Sequence, residues 1–152
     1  MSSNKSFSSE TSDRYARALF ELVQEKSELD ATEKNIKEFL TIYESSKEIE
    51  NFIKNPTQSF TNQLAIIKKI SELMKFTKNL ENFFSILITK RRIFFLKKIL
   101  FSFLKMVSLK RGELSAKLIS SKKLTEDELK NISLELSKII GSSITFNYKV
   151  DE

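Results

Sequence analysis

The 152-residue chain contains no cysteine and no histidine. Without cysteine there are no disulfides and no thiol chemistry, a composition compatible with a reducing compartment. Without histidine the commonest general base and the commonest metal ligand are both missing. Two glycines cannot write a phosphate-cradling loop of the G-x-x-x-x-G-K kind. Composition therefore speaks against catalysis, and neither a cofactor nor a metal site is expected. Also missing is a run of roughly 20 apolar residues, the length that a membrane-spanning helix needs. The richest stretch, KRRIFFLKKILFSFLKMV over residues 90–107, opens on Lys90, Arg91 and Arg92 and is interrupted by Lys97, Lys98 and Lys105. The amino-terminal MSSNKSFSSETS lacks the apolar core of a secretory signal, so residues 1–11 read as a disordered lead.

What the chain has in abundance is lysine, and it is unevenly placed. Residues 1–67 carry 8 basic against 11 acidic side chains, residues 68–123 carry 15 against 3, and residues 124–152 carry 3 against 6. A basic middle segment points to an acidic partner, a nucleic acid or an anionic surface. Lysines on the wet faces of helices would give the same count.

With one proline, Pro56, and both glycines beyond residue 110, the first two thirds of the chain favour helix. Tyr15, Ala18, Leu19, Leu22 and Val23 recur at helical spacing, predicting a helix over 13–25. A second is expected over about 30–45, with Leu29, Ile36, Phe39, Leu40 and Tyr43 on one side. A short third starts at Ser45-Ser46-Lys47-Glu48 and stops at Asn55-Pro56. A fourth runs over about 60–75, and a fifth is marked by Leu80, Phe83, Phe84 and Leu87. The 90–107 segment makes the sixth. Its apolar arc is too wide for a surface helix and too broken by charge for lipid, which puts it in the middle of a bundle with a basic rim.

The pattern changes after Gly112. Leu114, Ala116 and Leu118 alternate with polar residues, as do Ile144, Phe146, Tyr148 and Val150. Between them Thr125 and Glu128 form a capping box ahead of Leu129, Ile132, Leu136 and Ile139, the expected buried face of a helix that ends near Gly141. The expected architecture is mainly α: a six-helix bundle over 12–111, then a small, incomplete β-α-β segment over 112–152. Two strands and one helix leave sheet edges and faces bare, so the tail is either truncated or covered by a partner.

Acidic pairs such as Glu126/Glu128 and Glu48/Glu50 lie at helix starts, where caps and dipoles explain them. Lys90-Arg91-Arg92 beside Phe94 and Phe95 could hold phosphates and stack bases, which keeps a small basic RNA-binding factor as the alternative reading. More informative is surplus apolar surface. Ala16 and Phe20 widen the apolar arc of the first helix to about 200°. Ile86 points away from Leu80, Phe84 and Leu87 on the fifth. Both features suit either deeper burial or a groove for an amphipathic helix from another protein.

Four stretches, SDRYARALFELVQEKSELD, NFIKNP, NFFSILITKRRI and SAKLISSKKLTEDELKNISLELSKIIGSSITFNYKVDE, together resemble in order and spacing the F-type ATP synthase delta subunit and oligomycin-sensitivity-conferring protein family. The similarity spans about residues 12–152. It implies a non-catalytic stator component whose six-helix domain sits on the catalytic head and holds the amino-terminal helix of an alpha subunit between helices one and five. The groove positions implied by the resemblance are Tyr15, Ala16, Ala18 and Phe20 on helix one and Phe83, Ile86 and Lys90 on helix five. The smaller carboxy-terminal domain is implied to meet the b subunits of the peripheral stalk, at the cytoplasmic face of the inner membrane and without a span of its own. Family members usually continue past the KVD strand with a glycine-rich hairpin and a basic helix, which this sequence lacks. The resemblance implies no small-molecule substrate and makes nucleic acid an unexpected partner.

Overall fold

The computed structural model describes residues 3–111, 114–120, 123–140 and 144–150. The chain is mainly helical and divides into two compact units, Met1–Met106 and Val107–Glu152. In the first, α1 (Ser3–Leu22), α2 (Lys26–Ser45), α3 (Lys47–Lys54), α4 (Phe60–Met74), α5 (Lys78–Thr89) and the start of α6 (Leu96–Lys110) surround one apolar core. A 3-10 turn, Ile93–Phe95, precedes α6. The division falls inside the last turns of α6, a few residues before the break expected at Gly112.

The centre of the core is aromatic. Phe39 of α2 meets Phe84 of α5 edge-on at 5.3 Å between ring centroids, and Phe76 meets Phe84 at 5.4 Å. Such T-shaped pairs let the positive edge of one ring meet the negative face of the next. Around them Ile36, Leu80, Leu87, Leu96, Ile99 and Phe103 are fully enclosed. The central position expected for the 90–107 segment holds from Leu96 onward, with Lys97 on the rim paired to Glu44 at 3.1 Å.

Polar side chains fix the turns. Ser46, Ser59 and Thr77 cap α3, α4 and α5 by accepting from Ile49, Asn62 and Leu80 backbone N–H groups. The α4–α5 turn is clamped from α2: Asn35 Oδ1 accepts from the Thr77 N–H at 3.1 Å, and Asn35 Nδ2 donates to the Met74 carbonyl at 3.4 Å. Glu81 then ties α5 back to α4 by accepting from the Ser71 hydroxyl at 3.0 Å.

Three expectations are corrected here. Residues 3–11, expected in a disordered lead, are helical, because Ser8 and Ser12 are buried and the Lys98 ammonium donates to Ser8 Oγ at 2.7 Å. Polar side chains thus anchor a segment with no apolar signal. The buried stripe of α1 is Ser12, Ala16 and Leu19, continued by Val23 just past its end, so Ala18 and Leu22, expected in that stripe, are exposed. Finally, no continuous helix starts at Lys90. Arg91 takes the left-handed conformation, φ 54°, and the Arg92 N–H donates to the Leu87 carbonyl at 2.7 Å, closing α5 without a glycine.

In the second unit, α7 (Glu126–Ile140) lies in sequence between two seven-residue strands, β1 (Leu114–Ser120) and β2 (Ile144–Val150), which pair in parallel with Leu114 opposite Ile144. The Thr125 N–H and hydroxyl both donate to the Glu128 carboxylate, at 2.7 and 3.0 Å, and the Glu128 N–H donates to Thr125 Oγ1 at 3.3 Å. Ile139, expected on the buried face of α7, is 80% exposed. Expected positions 112–113, 121–122, 141–143 and 151–152 lie outside the described residues.

Candidate functional site

The seven sequence-derived positions do not share one surface. At about 100° per residue, Tyr15 and Ala18 lie on one flank of α1, and Phe20 lies roughly 140° round the helix from Tyr15. Tyr15 turns to α5, where its ring meets Phe83 edge-on at 6.5 Å. Phe20 turns to α6 and meets the fully buried Phe103 at 6.3 Å. Ala16 faces inward with no exposure, its small side chain allowing close approach of the packed helices. Phe20 is thus half-buried, with one ring contact to α6.

On α5, Phe83, Ile86 and Lys90 recur at i, i+3 and i+7, one flank of the helix. Phe83 is buried beneath Tyr15, and Ile86 is 49% exposed. Lys90 is exposed and serves as the C-cap, its N–H donating to the Ile86 carbonyl at 2.9 Å. Asn79, at the start of α5, donates to the Glu28 carboxylate, which places the start of α5 beside the α1–α2 turn.

Sequence reasoning missed one member of this surface. Leu22 is 56% exposed and lies at i+7 from Tyr15 and i+4 from Ala18, so it continues the α1 flank toward the α1–α2 turn. The spacing was readable, but it fitted a buried stripe equally well. Tyr15, Ala18 and Leu22 thus share one flank of α1, and Phe83, Ile86 and Lys90 one flank of α5, the two helices joined by the Tyr15–Phe83 contact.

No cluster of metal-ligating side chains occurs among the described residues, and no helix among them is long and apolar enough to cross a membrane. The perturbed carboxylates have structural causes. Glu81 is held below the ordinary carboxylate value by hydrogen bonds from Lys78 and Ser71, Glu50 by Lys54, and Glu128 by the Thr125 backbone.

The fold is thus mainly a helical bundle, and its perturbed acids serve caps and ion pairs. The family model for the ATP synthase delta (OSCP) subunit matches residues 11–152. ATP synthase subunit delta of Pelagibacter ubique is 44% identical over 151 residues, covering 99% of this chain and 82% of that protein. Its counterpart in Bartonella bacilliformis is 32% identical over 145 residues, covering 92% and 75%. In structure, a chain of the Toxoplasma gondii mitochondrial ATP synthase hexamer superposes with a TM-score of 0.76 at 19% identity, over 92% of this chain and 77% of that one. The chain belongs to the ATP synthase delta (OSCP) subunit family, a non-catalytic component of the F-type ATP synthase. The family model and the relatives support the stator reading and not the RNA-binding alternative.

Proposed function

We propose that the α1–α5 flank is the surface through which this stator subunit grips the catalytic head, by taking the apolar face of an alpha-subunit amino-terminal helix. The observation that carries this reading is the exposure of Leu22 and Ile86 on the two helices joined by the Tyr15–Phe83 contact. An amphipathic helix recognised in a groove offers anchors at i, i+3, i+4 and i+7, and an apolar band along two packed helices suits such a row. Residues 12–111 would form the head-binding bundle. Residues 112–152 would be a partial β-α-β domain that meets the b subunits of the peripheral stalk, the whole lying at the cytoplasmic face of the inner membrane. Anchored at both ends, the protein resists the torque of the central shaft, so that proton-driven rotation is coupled to ATP synthesis. It performs no chemistry itself.

The test is titration of the full chain with a synthetic peptide of the alpha subunit's amino-terminal helix from the same organism. Micromolar or tighter binding, with amide shift changes along Tyr15 to Leu22 and Phe83 to Lys90, supports the assignment. Absence of binding, or shift changes confined to other helices, defeats it.

A further inference from the structure

A second concave site lies on a different part of the bundle, among α3, the start of α4 and the turn from α5 into α6. It encloses about 580 Å³, within the range of roughly 300–1,000 Å³ typical of pockets for small organic ligands. Its inner wall is apolar and sealed: Ile53, Ile88 and Ile93 line it and are buried. Phe60 and Phe94, lining the same cleft, are 48% and 51% exposed. Large aromatic rings left half in water beside an apolar hollow are incompletely satisfied by the bundle itself.

Two cations also line the cleft, Lys54 and Arg91. Lys54 is paired with Glu50. Arg91 has no ion-pair partner among the described residues. Its backbone is fixed in the left-handed conformation, with its N–H donating to the Ile88 carbonyl at 2.9 Å and the next N–H engaged with Leu87. Arg91 is exposed, and a guanidinium can take a carboxylate through paired N–H bonds. No acidic residue is among those that line the cleft.

We infer that this cleft binds a free amphiphilic carboxylate, its apolar body against Ile53, Ile88 and Ile93, clasped by Phe60 and Phe94, and its head group on Arg91. The site is separate from the α1–α5 flank and shares no residue with it.

The experiment uses the full chain and three probes: laurate, dodecyltrimethylammonium, which has the same tail with the opposite charge, and phosphatidylglycerol vesicles. Calorimetric titration is expected to show laurate binding at least about tenfold tighter than the cationic amphiphile, the difference that one charge-assisted contact supplies. Arg91→Gln is expected to abolish that preference, and Ile86→Asp to leave it unchanged. Amide shift changes caused by laurate should cluster at Ile53, Phe60, Ile88 and Phe94. Because the wild type alone yields the charge preference, the inference remains testable even if Arg91→Gln unfolds. Equal affinity for the two amphiphiles overturns it, as does failure of the wild type to bind laurate below 1 mM or a shift pattern outside the cleft. Vesicle co-sedimentation lost in Arg91→Gln, without binding of free laurate, overturns it in favour of a lipid head group.

Discussion

The ring of Tyr15 stands edge-on to that of Phe83, 6.5 Å away and inclined by 66°, and this contact locks the flanks of α1 and α5 side by side. Leu22 on one helix and Ile86 on the other are both about half exposed. Ile86→Asp and Leu22→Asp are each expected to weaken binding of the alpha-subunit helix by at least about tenfold, since a charge must be desolvated against an apolar ligand face. Neither should lower the melting temperature appreciably, because both side chains are half in water already. Isothermal titration alongside thermal melts separates the two effects.

Phe20 behaves differently. Packed against buried Phe103, it belongs to the α1–α6 seam. Phe20→Ala is expected to cost about 1–3 kcal/mol of bundle stability through lost burial and the lost ring pair. The folded fraction should bind the helix peptide with nearly unchanged affinity. A urea melt combined with titration at low temperature reads both quantities.

Asn35→Ala should be more damaging than a polar substitution usually is. The amide satisfies one donor and one acceptor of the α4–α5 turn, Thr77 N–H and Met74 C=O, and Asn35 is buried. Leaving both groups without partners is expected to cost about 1–3 kcal/mol each where water cannot reach them. Faster amide hydrogen exchange at Thr77 in the variant would locate the damage in that turn.

Glu81 gives the α4–α5 pair a pH dependence. Its folded value is depressed below 4.5, chiefly by the Lys78 hydrogen bond and then by Ser71. The contribution is therefore complete above the unfolded-state value and is lost as pH falls through the folded one. Unfolding followed by denaturant from pH 6 down to pH 3 should show stability decreasing over that lower window. Glu81→Gln should be less stable than wild type at pH 6 and approach it at pH 3.

Lys75 and Arg91 both adopt left-handed backbone, φ 52° and 54°, in a chain that has no glycine at either turn. Lys75→Gly is expected to stabilise the protein by a few tenths to about 1 kcal/mol, the part of the left-handed penalty that exceeds glycine's greater freedom when unfolded. Lys75→Val should destabilise it by more. Chemical denaturation of the two variants checks the order.

These two residues also mark the limit of what could be read from sequence. Helix ends written in ordinary signals were largely legible: Thr125 and Glu128 form the capping box that their spacing announces, whereas α3, where Ser45 and Glu48 have the same spacing, is capped by Ser46. Helix ends made by lysine or arginine in an unusual conformation carry no such signal, which is why the 90–107 segment read as one helix. The amino-terminal serines misled for a related reason. Their ordering depends on Lys98, some 90 positions away in sequence.

The sequence alone determined that helices would dominate and where α3, α4 and α7 start and stop. Periodicity and capping chemistry are local, so they can be read locally. It also supplied the family resemblance, through residues in a particular order. Which side of α1 faces inward was decided only in three dimensions. With an apolar arc of about 200°, Ala16 or Ala18 could equally have turned to the core. The packing of α5 on one flank and α6 on the other selected Ala16, set Phe20 half-buried against α6 and left Leu22 outside, because burial is a property of neighbours and not of spacing.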